Sequence, residues 1–88
     1  MQLSLHADYA LRALIYLGTR PGETISTREM STAYGISKHH LVRVVQTLSN
    51  HGYVKLTPGR SGGVTLARAP RDILLGEVVL RTEPNLTL

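Results

Sequence analysis

The residues whose types and spacing could do chemistry are basic and polar side chains on one predicted helix. At helical spacing, the outer face of residues 38–50 carries four of them: His39, Arg43, Gln46 and Asn50. Lys38 and His40 flank the N-terminal end of the same helix. Side chains of these types donate hydrogen bonds to phosphate oxygens and to base edges. The set therefore predicts contacts with a nucleic acid.

The other reactive side chains do not form a recognisable catalytic or metal-binding pattern. No Ser/His/Asp or Cys/His arrangement, paired carboxylates or phosphate-binding loop is visible among the 6 acidic and 4 histidine residues. His39 and His40 are adjacent and diverge by about 100° on a helix, so they cannot readily chelate one metal ion. His6 and His51 are isolated in the sequence. The sequence predicts a binding protein rather than an enzyme.

The distribution of charge is more informative than the total of +4. No acidic residue occurs between Met30 and Arg71, a window that holds six basic residues, whereas the rest of the chain has four basic and six acidic residues. A positive field on one side of a small domain is typical of a protein that binds a polyanion. A solvated basic surface without a partner is the alternative.

Length and composition indicate one small domain of 88 residues. A chain of this size buries a limited share of its surface, so a partner subunit would stabilise it. The chain has no cysteine, and it therefore offers neither a disulfide nor a thiolate ligand. No apolar run is long enough to cross a bilayer, and the N-terminus lacks the pattern of a signal peptide. We expect a cytoplasmic protein.

The elements that must position the basic residues are read from apolar spacing and capping signals. A first helix is predicted over Ser4–Gly18, with an apolar stripe formed by Ala10, Ala13, Leu14 and Leu17. Ser26 and Glu29 form a capping box for a second helix that ends near Tyr34. Ile25 and Met30 are predicted to pack as its hydrophobic staple. Gly35 supplies the positive φ of a tight turn.

The third predicted helix, residues 38–50, is capped by Ser37 and is followed by a hairpin. Alternating strands over 53–57 and 64–68 bracket a Gly-rich, basic tip, and a last helix over 73–82 is stopped by Pro84. This order predicts a mostly α fold with a small β-hairpin, namely a winged helix-turn-helix domain over residues 1–84. Residues 85–88 are predicted to be a tail, the start of a further C-terminal region.

In that fold the third helix would enter the major groove of duplex DNA, with the hairpin as the wing. Arg60 lies between glycines at the wing tip, which suits insertion into the minor groove or contact with phosphate. The predicted DNA-binding residues are Arg28, Ser37, Lys38, His39, His40, Arg43, Gln46, Arg60 and Ser61.

Two other interpretations of the same residues stay open. Gly59-Arg60-Ser61-Gly62 matches the GXXG clamp of one class of RNA-binding module, although that clamp lies between helices and this segment lies between predicted strands. A winged helix can also serve as a protein-interaction module, with its basic face docked on an acidic partner instead of DNA.

The chain resembles the winged-helix family of iron–sulfur-cluster transcription regulators. The resemblance runs along the whole chain and rests on Met1–Leu3, Asp8–Leu17, Tyr34–Ser37, His40–Arg43, Gly52–Val54, Gly62–Ala67, Gly76–Val79 and Thr82–Pro84. It implies a homodimeric repressor that binds a palindromic operator. Members of this type carry an iron–sulfur cluster that reacts with nitric oxide and thereby releases the DNA, so the resemblance implies nitric-oxide-responsive target genes.

Two departures from the family pattern bear on these implications. Pro58 stands where the family usually has a basic residue before the wing glycine, which would leave wing contacts to Arg60. The cluster-binding cysteines and dimerisation helix of the family follow the Thr-Glu-Pro segment, and the chain ends at Leu88. This chain alone is therefore expected to bind no cluster. Asp8 matches a position that completes cluster coordination in some members; its alternative role is an ion pair with Arg12.

Overall fold

The computed structural model describes residues 3–83 and contains four helices and one antiparallel hairpin in that range. The elements are α1 (Leu5–Gly18), α2 (Thr27–Tyr34), α3 (Lys38–Asn50), β1 (Val54–Thr57), β2 (Gly63–Leu66), a 3-10 turn (Pro70–Asp72) and α4 (Leu75–Thr82). The predicted fold class is confirmed. The predicted stop at Pro84, the tail at 85–88 and the outer limits of the domain lie outside the described residues. Within 3–83, no helix is long and apolar enough to cross a membrane.

The first three helices begin where a serine side chain caps the backbone and end at residues whose own backbone N–H groups bond to the last turn. Ser4, Ser26 and Ser37 each accept a hydrogen bond from the backbone N–H three residues later, as N-cap serines do. Gly35 ends α2 with φ 67°, in the left-handed region that a residue without Cβ adopts at little cost. These signals need no tertiary contact, and the predicted limits of α3 are confirmed.

Glu29 does not complete the capping box predicted at the start of α2. Its backbone N–H donates to Ser26 Oγ at 3.0 Å, as expected. Its carboxylate, however, accepts a hydrogen bond from the Tyr16 hydroxyl at 2.6 Å and pairs with the Arg20 guanidinium. The side chain therefore ties α2 to the C-terminal end of α1 and the turn after it, because two strong donors, one on α1 and one in that turn, lie within its reach.

The hairpin and the last helix are shorter than predicted. β1 pairs with β2 from Val54–Leu66 to Thr57–Gly63, and the residues expected to extend the strands have other roles. Tyr53 is buried in the core, and the Arg68 guanidinium lies 4.7 Å from the centre of its ring. α4 begins at Leu75, two residues later than predicted, because the chain first makes a 3-10 turn and then extends.

A short additional strand pairing joins the wing to the helix-turn-helix. Ile25, just before α2, donates its N–H to the Val64 carbonyl at 2.9 Å and accepts from the Val64 N–H at 2.8 Å. The side chains of both residues lie in the core, as does Met30. The sequence predicted only the staple role of Ile25, since a two-residue bridge has no periodicity to detect. The bridge sets where β2 lies relative to α2.

α1 packs against both α3 and α4 and supports α3 from its buried side. His6 on α1 is hydrogen-bonded through Nε2 to Thr47 Oγ1 on α3 at 3.1 Å, and its ring stacks near that of His40. Burial lowers the pKa of His6, and the positive charges of His40 and Arg43 lower it further, although Glu83 opposes this shift. The neutral imidazole is therefore favoured at the contact between α1 and α3.

The backbone bridge makes Gly63 intolerant of a side chain. A Cβ at this position would lie 2.4 Å from the Ile25 carbonyl oxygen, whereas a Cβ at Gly59, in the same hairpin, would meet nothing within 4 Å. We expect Gly63→Ala to lower the free energy of unfolding by more than about 2 kcal/mol, since backbone must move. Gly59→Ala, strained only by its φ of 98°, should cost about 1 kcal/mol. Urea denaturation of both variants measures the loss in the free energy of unfolding. Equal losses in the two variants would contradict the expected difference.

The lowered pKa of His6 predicts a pH dependence of stability. The unfolded chain takes up a proton near the ordinary histidine pKa, whereas the folded chain resists protonation until lower pH. The contribution of His6 to stability is therefore fully present above the pKa of the unfolded chain. It is lost as the pH falls through that pKa toward the lower pKa of the folded chain. Between pH about 7.5 and about 5.5, the urea midpoint of the wild type should fall more than that of His6→Gln. An identical fall in both proteins would show that His6 does not contribute.

Candidate nucleic-acid interface

A cleft of about 750 Å³ separates the helix-turn-helix from the wing. The first turn of α2 and the outer side of α3 form one wall, and the hairpin forms the other. Three basic residues line it, one from each element: Arg28 on α2, Lys38 on α3 and Arg60 on the wing. Among its described lining residues there is no carboxylate. A positive, open cleft of this kind attracts a polyanion and concentrates its field.

The exposed face of α3 continues this cleft. Lys38 and Gln46 lie at its edge, while His39 and Arg43 lie on the adjoining exposed surface of the helix. The opposite face of α3 is buried in the core through Leu41, Val44, Val45 and Leu48. One stripe thus holds the helix in place while the other presents hydrogen-bond donors to the solvent. A helix with this division fits the major groove of duplex DNA.

The N-terminal end of α3 is held by Ser37, whose hydroxyl accepts the N–H of His40 at 3.1 Å. Ser37 is exposed, and it serves the helix as a cap in addition to its predicted role at DNA. The remaining free N–H groups of the first turn lie at the positive end of the helix dipole. Such an end suits a phosphate oxygen.

The wing tip presents Arg60 on a tight turn. The Gly62 N–H donates to the Gly59 carbonyl at 3.1 Å, and Gly59 has φ 98°. Arg60 and Ser61 are both exposed, but only Arg60 lines the cleft. A Cβ at Gly62 would lie 2.0 Å from the Thr57 carbonyl oxygen, so this glycine is required by the turn itself. The turn brings the guanidinium of Arg60 to the same opening as Arg28.

The one acidic side chain in the first turn of α2 is held away from this opening. The hydrogen bond from Tyr16 lowers the pKa of Glu29, and the neighbouring Arg20 lowers it further, against the opposing effect of burial. The same hydrogen bond raises the pKa of Tyr16. The carboxylate thus stays ionised and paired with Tyr16 of α1 and Arg20 of the following turn. Its charge is balanced locally, and the positive field of the cleft is preserved.

His40 and Asp8 lie apart from the other predicted site residues. The His40 ring packs edge-on against Tyr9 of α1, with ring centroids 4.7 Å apart, and stacks near His6. It therefore lies against α1 rather than in the cleft. Asp8 accepts a hydrogen bond from Arg12 Nε at 3.0 Å, which is the ion pair predicted as its alternative role.

Two large apolar residues that are exposed in the cleft were not among the predicted site residues. Val42 on α3 is 41% exposed and Leu56 on β1 is 37% exposed, and both line the cleft. The prediction considered polar and charged types alone. The spacing held a signal for Val42, which lies four residues after Lys38 and four before Gln46, on the same ridge of the helix. For Leu56 the signal is absent, because strand alternation placed it on the buried face.

The described residues do not by themselves fit an iron–sulfur cluster. Thiolates are the usual ligands of such clusters, and the 88 residues contain no cysteine. Within residues 3–83, no group of three or more His, Cys, Asp or Glu side chains is arranged to hold a metal ion. Asp8, the residue implied as a ligand by resemblance, is paired with Arg12. No step of the function proposed below therefore depends on a cluster.

Comparison with known sequences gives matches along the whole chain. The Rrf2 family, described as an iron-dependent transcriptional regulator, matches residues 3–88. The HTH-type transcriptional regulator NsrR of Bacillus subtilis (strain 168) is 43% identical over 89 residues, covering 100% of this chain and 61% of that protein. NsrR of Geobacillus kaustophilus is 42% identical, with 60% of its length covered. The chain thus spans about three fifths of the length of the curated relatives it matches.

Solved structures agree with the sequence matches. The global cysteine regulator CymR of B. subtilis superposes with a TM-score of 0.88 at 28% identity, covering 100% of this chain and 72% of that one. IscR of T. potens superposes with a TM-score of 0.85 at 29% identity, covering 100% of this chain and 65% of that one. The fold, the basic cleft and these matches together show that the chain belongs to the Rrf2 family of transcriptional regulators.

Proposed function

We propose that this chain is the sequence-specific, duplex-DNA-binding part of a transcriptional repressor. The observation that carries the proposal is the cleft between α3 and the wing, where Arg28, Lys38 and Arg60 meet without a carboxylate among the described lining residues. Basic groups from three separate elements converge there, although they are far apart in the sequence. Such convergence is expected of a surface that follows a phosphate backbone.

The proposed docking follows from the shapes of the elements. α3 enters the major groove, with His39, Arg43 and Gln46 directed to base edges. Arg60 reaches the phosphate backbone or the minor groove from the wing tip, and Arg28 contacts a phosphate beside the start of α2. Phosphate contacts from two sides would set the register of α3, and the α3 side chains would then read the sequence.

We further propose that the full protein acts as a homodimer on a palindromic operator. One α3 helix reads a few base pairs, and a second copy about one helical turn away doubles the contacts. Large apolar side chains that are exposed in the described monomer support an additional partner surface. They include Leu5 and Ile15 on α1, Leu74 just before α4, and Leu75 and Leu80 on α4.

The family resemblance supports nitric-oxide-responsive genes as the proposed targets, and regulators named NsrR are found repeatedly among the relatives. In the family that this chain resembles, the response to nitric oxide depends on an iron–sulfur cluster held by cysteines. These 88 residues contain none, so a sensing role would require thiolates from outside them. Operator binding is the part of the function that this chain supports with its own residues.

Arg43→Ala tests the base-reading role of α3. If Arg43 contacts a base, the substitution should weaken binding to a selected operator by about 1–3 kcal/mol and relax preference at one position. Arg71→Ala is the charge-matched control, because Arg71 is exposed but lies in the 3-10 turn, outside both α3 and the cleft. Titration of operator and random duplexes by fluorescence anisotropy measures both. Equal losses of affinity for the operator and the random duplex would show that Arg43 contacts phosphate rather than a base.

Arg60→Ala tests the wing. Loss of one phosphate contact should lower the affinity and flatten the plot of log K against log salt by about 0.9. Arg60→Lys keeps the charge and should keep the slope. An unchanged slope in Arg60→Ala would place the wing outside the interface. If the wild type fails to bind any mixed duplex at low salt, DNA binding is overturned and an acidic protein becomes the better partner for the cleft.

A further inference from the structure

Val42 occupies an unusual place on the recognition helix. It is 41% exposed, whereas its neighbours Val44 and Val45 are 0% and 3% exposed and belong to the core. One turn before it lies Lys38 and one turn after it lies Gln46, and all three line the cleft. A branched apolar side chain is thus held in solvent between two polar ones. The core does not require it, since the buried stripe of α3 is complete without it.

The chemistry of Val42 suits one feature of duplex DNA. In the major groove, thymine alone among the four bases presents a methyl group, at C5, and apolar side chains read it by contact. Lys38 and Gln46 can hydrogen-bond neighbouring acceptors and donors on the same ridge. An apolar side chain between them would pack favourably against a methyl group. Opposite a polar base edge, the same side chain would leave the hydrogen-bonding groups of the base unsatisfied.

We propose that Val42 is a specificity-determining residue that recognises the C5-methyl group of a thymine in each half-site. The inference rests on the proposed DNA-binding function and names one base preference within it. Contact between the Val42 side chain and the thymine methyl group removes apolar surface of both groups from water. A cytosine at the same position lacks the methyl group and presents an amino group to the valine instead.

Leu56, the other exposed apolar residue of the cleft, is less suited to this role. It is on β1, opposite Val64 in the hairpin, and belongs to the wing wall rather than to the helix that enters the groove. Val42 could instead serve to support the wing across the cleft. The two roles differ in what the DNA must contain, because a support would act on every sequence alike.

The test replaces thymine by uracil, which removes only the methyl group. An operator is first selected from a random duplex library with this 88-residue chain. Each thymine is then changed singly to uracil, and the affinities of wild type, Val42→Ala and Gln46→Ala are measured. At one position per half-site, uracil should weaken the wild type about fourfold, as expected for one buried methyl group. Val42→Ala should bind the thymine and uracil operators equally, while Gln46→Ala should bind more weakly yet keep the fourfold difference.

The outcomes separate this inference from the function on which it rests. Selective operator binding without any uracil-sensitive position, or with a sensitivity that Val42→Ala retains, would overturn the role of Val42 and leave DNA binding intact. A loss in Val42→Ala that is the same on all duplexes would assign the residue to wing support. Failure to select any sequence would count against the proposed function itself. Circular dichroism of Val42→Ala checks that the exposed substitution leaves the fold unchanged.

Discussion

The two backbone hydrogen bonds between Ile25 and Val64 are the constraint on which the interface depends. They join the segment before α2 to the inner strand of the wing, at 2.9 and 2.8 Å. Without them the hairpin would be connected to the helix-turn-helix mainly by packing. With them, the wing wall and the helix wall of the cleft are set at a defined separation. The approach is close enough that Gly63 has no room for a Cβ.

The charges of the cleft are the second constraint on the interface, beside the backbone bridge between Ile25 and Val64. The cleft carries Arg28, Lys38 and Arg60, and repulsion among them would be relieved by a bound polyanion. Glu29 could cancel part of this field from within α2, but its carboxylate is held by Tyr16 on α1 and by Arg20 in the turn that follows α1. The same contacts fix α2 against α1. A stabilising network and a clean binding surface thus come from one arrangement of side chains.

Much of the fold was predictable because its signals are local. Ser4, Ser26 and Ser37 cap helices through bonds that span three residues, and Gly35 turns the chain by its own backbone freedom. Predictions failed where distant groups competed: the Glu29 side chain pairs with Tyr16 and Arg20 instead of completing its capping box. Val42 was missed for a different reason, since only polar and charged residue types were considered as site residues, although its spacing from Lys38 and Gln46 places it on their ridge of the helix.

The sequence by itself determined the limits of the first three helices, the acid-free window from Met30 to Arg71, the winged-helix order of elements and the family resemblance. These depend on residue type, spacing and order along the chain. Tertiary structure alone decided that Arg28, Lys38 and Arg60 share one cleft, that His40 lies against Tyr9, and that Ile25 extends the sheet. Such facts rest on contacts between residues far apart in the chain, which periodicity and capping rules do not encode.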